Sequence, residues 1–286
     1  MKSQALVTFG AMLAIAGAAA ACTAKVEQKA PSTEQPVAEE LKTQRGRHLH
    51  GPVKVVIEAT RAVGNLTPEQ AETLDTIQSE LLADSENRKA LHERLRTSAV
   101  AVVRAGTTNG AEFDRSVGEA VKALEERMTK HADALEEIHG MLTPEQRSDV
   151  ADALRIRIDE KFGKKRDEKR HAKTFQRFAS HLVLSKLQIE QLTTIKKELI
   201  GEKRELRPSR EELTTLVDAF EGEDFRTALN DLREKKTKIL RSKVADAGKR
   251  TDSVLSVFTR EQRELLADLI LEGPAKVLLQ KDEATQ

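Results

Sequence analysis

The sequence predicts an all-α fold, and three observations carry that expectation. Apolar residues recur at helical spacing through a chain of 286 residues that is one-third charged. Four segments carry the signature of a helix start. No segment shows the apolar/polar alternation of a strand.

The four starts are Leu66-Thr67-Pro68-Glu69-Gln70, Leu142-Thr143-Pro144-Glu145-Gln146, Leu184-Ser185-Lys186-Leu187-Gln188 and Phe258-Thr259-Arg260-Glu261-Gln262. They come as two pairs. Gln70 and Gln146 stand 76 positions apart, Gln188 and Gln262 stand 74 apart, and matching members are offset by 118 and 116. The match extends past the motif: Glu72, Leu74, Thr76, Ile77, Glu80 and Leu81 align without a gap on Glu190, Leu192, Thr194, Ile195, Glu198 and Leu199. The chain therefore reads as a duplicated unit.

Each motif is a capping box. The Thr or Ser hydroxyl accepts from the amide of the Gln, and the Gln side chain accepts from the amide of the Thr or Ser. Pro68 suits a first helical position, and Glu69 complements the positive end of the helix. One lost cap would cost about 1 kcal/mol.

The elements follow in order. Val53-Lys54-Val55-Val56-Ile57 is too short to type. Unit 1 then reads as helices over about 68–83 and 87–104, a break at Gly106-Thr107-Thr108-Asn109-Gly110, a long helix over 111–138, and a last one over 144–161. On the long helix Val117, Val121, Leu124, Met128, His131, Leu135 and Ile138 fall at alternating steps of four and three, a seam that should lie along a partner helix. Unit 2 repeats the plan over about 186–205, 210–220, 224–247 and 260–271, with Leu229, Leu232 and Ile239 in its seam and Lys236 and Lys243 where apolar residues would be expected. Phe113 and Phe225 head the two long helices.

Before the units, an apolar, Ala-rich run from Ala5 to Ala21 follows Lys2 and ends at Cys22, the only cysteine. This reads as a secretory signal, and the cysteine has no partner for an internal disulfide. Ala20-Ala21-Cys22 is similar to the lipobox of bacterial lipoproteins, with Ala19 where Leu is usual, so Cys22 is the candidate lipidation site. An ordinary cleavable signal is the alternative. The expected division is signal peptide 1–21, lipidated Cys and disordered tether 22–50, unit 1 over 51–163, a basic linker or linking helix over 164–183, and unit 2 over 184–286.

Composition narrows the function. Without residues 1–21 the chain carries 47 basic and 47 acidic residues, and it has no Tyr or Trp on which bases could stack, so no nucleic-acid partner is expected. Signatures of nucleophile elbows, P-loops and metalloprotease helices are absent, and no catalytic residue is assigned.

Two LTxxQ-type motifs some 75 residues apart, flanking a long charged helix with a Phe/Asp pair at its head, resemble the Spy/CpxP family of periplasmic proteins. The resemblance covers Leu66 to about Lys161 and again Leu184 to Leu271. It implies a small all-α cradle and ATP-independent, chaperone-like or envelope-stress activity in a periplasmic protein, and the lipobox-like end of the signal would hold it by a lipid on the inner or outer membrane. Two tandem helical-hairpin units then suggest an intrachain pseudo-dimer, with a homodimer as the alternative. Partly unfolded or envelope proteins are the expected partners, and Val121, Leu124, Met128, Leu135, Leu229, Leu232 and Ile239 the candidate client-binding residues; the sequence leaves open whether these are core or surface. Two further functions stay in view. A branch of the same superfamily handles divalent metals, and His48 and His50 form a His-x-His pair, although two ligands do not make a site and no cofactor is assigned. A structural lipoprotein with one dedicated partner is the other.

Overall fold

A computed structural model describes residues 52–63, 65–163 and 168–273. The expected signal sequence, Cys22, the expected tether with His48 and His50, residues 164–167 of the basic run and residues 274–286 at the end of the expected second unit lie outside them. The described residues form helices and no strand: α1 (Pro52–Ala62), α2 (Pro68–Ala105), α3 (Ala111–Met141), α4 (Pro144–Gly163), α5 (Glu168–His181), α6 (Lys186–Leu206), α7 (Arg210–Glu221), α8 (Phe225–Ala245), α9 (Ala247–Leu255) and α10 (Arg260–Glu272). None of them is long and apolar enough to cross a membrane.

Two expectations need correction, and one segment left untyped takes a definite form. The break expected near residues 84–86 does not exist, and α2 is one helix of 38 residues. The Asp84-Ser85-Glu86-Asn87 stretch is polar but holds neither Pro nor Gly, so nothing there removes a backbone donor or favours a left-handed turn. The run expected as one helix over 224–247 instead ends at Ala245, and a further helix, α9, follows. From Phe225 to Phe258 the chain is four residues longer than from Phe113 to Leu142. That is about one helical turn, and the break at Asp246 absorbs it. Finally, Val53–Ile57 belongs to α1, whose Val53, Val56 and Ile57 are buried.

The unit 2 counterpart of α2 is broken where the sequence reading separates its helices. Pro208 has no N–H and disfavours helix in Arg207, and Ser209 then opens α7 with its own capping box to Glu212. Lys236, unexplained as a seam residue, fills this break. It is buried, and its ammonium donates to the carbonyls of Glu205 (2.9 Å) and Arg207 (3.3 Å) and to Glu212 Oε1 (3.0 Å). One cation thus satisfies carbonyls that the end of α6 leaves over.

The helices build two lobes, and each draws on both halves of the chain. The first core joins α1, the start of α2, the end of α3 and α4 with Val217 and Phe220 of α7 and Phe225 and Leu229 of α8. The second joins α5, α6, α9 and α10 with Val100, Val102 and Val103 at the end of α2 and Phe113 and Val117 at the start of α3. The tip of each half's long hairpin is therefore buried in the lobe that carries the other half's motifs. Between the lobes α3 and α8 lie antiparallel, tied by Arg226–Glu136 (2.7 Å) at one end and Arg241–Glu125 (2.7 Å) towards the other.

Candidate functional site

The paired motifs do more than cap their own helices. Thr67 Oγ1 accepts from the Gln70 amide at 3.3 Å, and the Thr67 amide donates to Gln70 Oε1 at 2.9 Å. Thr143 and Gln146 repeat both bonds at 3.3 and 3.0 Å. The two glutamines then bond to each other. Gln70 Nε2 donates to Gln146 Oε1 (2.9 Å) and to the Met141 carbonyl (2.7 Å), while Gln146 Nε2 donates to Gln70 Oε1 (3.1 Å) and to the Asn65 carbonyl (2.9 Å).

Each amide thereby uses two donors and two acceptor positions, its whole capacity. This explains why the position holds Gln. An isolated capping box accepts Glu equally well, but a carboxylate here would lose both donors and face the oxygen of the opposite amide. Burial of Gln146 makes that loss expensive.

The second pair repeats the arrangement bond for bond. Gln188 Nε2 donates to Gln262 Oε1 and to the Val257 carbonyl, both at 2.7 Å, and Gln262 Nε2 donates to Gln188 Oε1 and the Val183 carbonyl, both at 3.2 Å. Ser185 and Thr259 close the boxes. The leading residues sit beneath: Leu142 and Phe258 are buried, and Leu66 and Leu184 pack against the two cores.

The arginine after the second Gln of each pair reaches the hairpin tip of the other half, a role that sequence reasoning missed. Arg147 donates to Glu223 Oε1 (2.7 Å) and to the Gly222 carbonyl (3.4 Å), and its Nη1 lies 2.9 Å from His139 Nε2. The His139 ring stacks on Phe225, with centroids 5.0 Å apart, and meets Phe220 edge-on. Arg263 donates to the Phe258 carbonyl and lies flat against Gly106, where a Cβ would stand 2.7 Å from Cζ. Gly106 is also the C-cap of α2 at φ 74, so the turn needs Gly for conformation and for space. The signal for these contacts was present, since Gln-Arg occurs at both second motifs, but its target lies in the distant half.

Glu69, Glu145 and Glu261 occupy the second helical position of three motifs. Each carboxyl is held below its ordinary range by the amide of its own residue and by the hydroxyl of the capping Thr. The fourth motif has Leu187 there.

The seam residues are mostly packed. Leu135 and Leu229 are buried in the first core and Val121 packs on the second, which removes Leu135 and Leu229 as surface candidates because the seam faces neighbouring helices. Leu124, Met128, Leu232 and Ile239 are half-buried. Among the described residues no group of three or more His, Cys, Asp or Glu side chains is placed to hold a metal ion. His48 and His50 lie outside those residues, and His139 is engaged at the α7–α8 tip.

Fold and motifs together define a class: an all-α protein in which helix starts distant in sequence cap one another in pairs. Residues 57–154, which span the first pair, match the family model described as LTXXQ motif family protein, a likeness consistent with a Spy/CpxP-like protein. The second pair lies outside the matched segment. No curated protein and no solved structure matches the chain.

Proposed function

We propose that the chain is a periplasmic, ATP-independent chaperone-like protein of the Spy/CpxP type, with two tandem units forming one pseudo-dimer and Cys22 as its lipid anchor. The observation that carries this reading is the waist between the lobes. From Val121 to His131 no residue of α3 is buried. Leu124 and Met128, with Leu232 and Ile239 of the antiparallel α8, are each only half-buried, and we read them as a thin apolar row open in part to water.

Charge surrounds this row, with Glu125–Arg241 across the two helices, Lys122–Glu126 along α3 and Lys130–Asp84 towards α2. A shallow apolar strip fenced by charges of both signs suits weak, reversible contact with many partly unfolded chains. Met128 adds a side chain that adapts its shape. Such a surface needs neither a nucleotide nor a catalytic group.

The test is suppression of aggregation of several unrelated unfolded proteins without ATP. The wild-type chain should suppress in proportion to its molar ratio, and Leu124→Ser with Met128→Ser should suppress less at unchanged helical content. Activity against one client alone would favour a dedicated-partner lipoprotein.

A further inference from the structure

We propose that the motif end of the second lobe docks on an anionic lipid surface, with Val183, Leu187 and Leu265 entering the interface and Lys186 and Arg260 meeting the headgroups. Val183, Leu187 and Leu265 are among the exposed large hydrophobic residues, at 76%, 64% and 38%. All three lie close to the Gln188–Gln262 pair. The Val183 carbonyl accepts from Gln262, Leu187 precedes Gln188, and Leu265 lies one turn beyond Gln262 on α10.

The first lobe supplies the control. The positions equivalent to Val183, Leu187 and Leu265 are Asn65, Glu69 and Asp149, and those equivalent to Lys186 and Arg260 are Pro68 and Pro144. The same scaffold therefore presents a polar, acidic end on one lobe and an apolar, basic end on the other. The bias extends along the flanking helices. Residues 170–206 hold 8 Lys and Arg against 4 Asp and Glu, whereas the equivalent residues 52–88 hold 3 against 7. Of the acids on α10, Glu264 and Asp268 turn to Arg104 of α2, at 3.0 and 3.2 Å, and Glu261 is held at the helix start by its own amide and the Thr259 hydroxyl, with Arg260 and Arg263 close by.

Two local features run against stability. Leu187 replaces the Glu that the other three motifs place at the positive helix end. Val183 adopts φ 51, the only positive φ among the described residues other than Gly. It follows α5 in a helix-ending turn, in which the Leu184 amide donates to the Ala179 carbonyl at 2.9 Å. Gly or Asn suits that position, whereas a β-branched residue is strained there. A strained residue that extends an apolar side chain into water is the pattern of a contact site. Exposed apolar groups beside Lys186 and Arg260 match the boundary of an anionic bilayer, where apolar burial and headgroup attraction act together.

The test exploits the single cysteine. In the full chain with Cys22→Ser, an environment-sensitive fluorophore is attached at Leu187→Cys or, as control, at Glu69→Cys. Vesicles of phosphatidylglycerol should shift the emission at 187 to the blue and leave 69 unchanged. Phosphatidylcholine vesicles should do neither, and added salt should reverse the shift. The label reports its own position, so attachment through another part of the chain does not mimic the signal. Transplanting the first lobe's residues (Val183→Asn, Leu187→Glu, Leu265→Asp) should lower the bound fraction in vesicle sedimentation several-fold, with helical content retained. No shift at 187, an equal shift at 69, or a shift produced by an unfolded protein or excess unlabelled chain but not by vesicles would overturn the proposal.

Discussion

At the scale of single residues, the paired glutamines separate this motif from an ordinary capping box. Gln146→Glu keeps the acceptor that closes its own box but removes the donors to Asn65 and Gln70. The expected loss is about 2–4 kcal/mol, read as a lower urea midpoint, where an isolated capping box would lose almost nothing. Gly106 gives a second prediction. Gly106→Ala meets both a left-handed φ and the Arg263 guanidinium, and should cost about 2 kcal/mol. Part of that cost should disappear in an Arg263→Ala background, giving a non-zero coupling energy in a double-mutant cycle. The local bonds within each box were legible from the sequence because they join residues three apart. The glutamine pairing was not, because it depends on two helix starts meeting in space.

At the scale of elements, most helix starts could be read and the interruptions were harder. A capping box announces itself within five residues, and Pro208 announces a break. The continuity of α2 and the break between α8 and α9 depend instead on what the surrounding structure accommodates: Asp252 of α9 accepts from the Thr108 amide (2.7 Å) and hydroxyl (2.9 Å) at the tip of the α2–α3 hairpin. The break filled by Lys236 carries a pH prediction. Burial acts to raise the pKa of Glu212, but hydrogen bonds from Lys235, Lys236 and the Ser209 amide outweigh it and lower the group from 4.5 to about 2. A carboxyl whose pKa is depressed on folding contributes stability that is present above its unfolded value and is lost as pH falls towards its folded value. Stability should therefore decline between about pH 4.5 and pH 2, by on the order of 1–2 kcal/mol from this group after solvent screening. Urea unfolding across that range should show the slope, and Glu212→Gln should flatten it.

At the scale of the whole molecule, the exchange of hairpin tips is the feature with most consequence. Neither half completes a lobe, since the first core needs Phe220 and Phe225 and the second needs Val103 and Phe113. Arg155 bridges to Asp218 (2.9 Å) and Glu221 (2.6 Å) in the first lobe, and Arg104 bridges to Glu264 and Asp268 in the second. Unfolding should accordingly be cooperative across the lobes, and a half expressed alone should expose the cores it normally shares. The paired motifs were visible in the sequence as repeated spacing. The crossing of the halves was not, because repeat periodicity does not say which copy a hydrophobic face will meet. The most direct measurement is the light-scattering mass of the full chain with Cys22→Ser over a wide concentration range. The mass of one chain, 31.8 kDa for all 286 residues, is expected at every concentration. A stable two-chain mass that persists on dilution, with the lobes completed between chains, would contradict it.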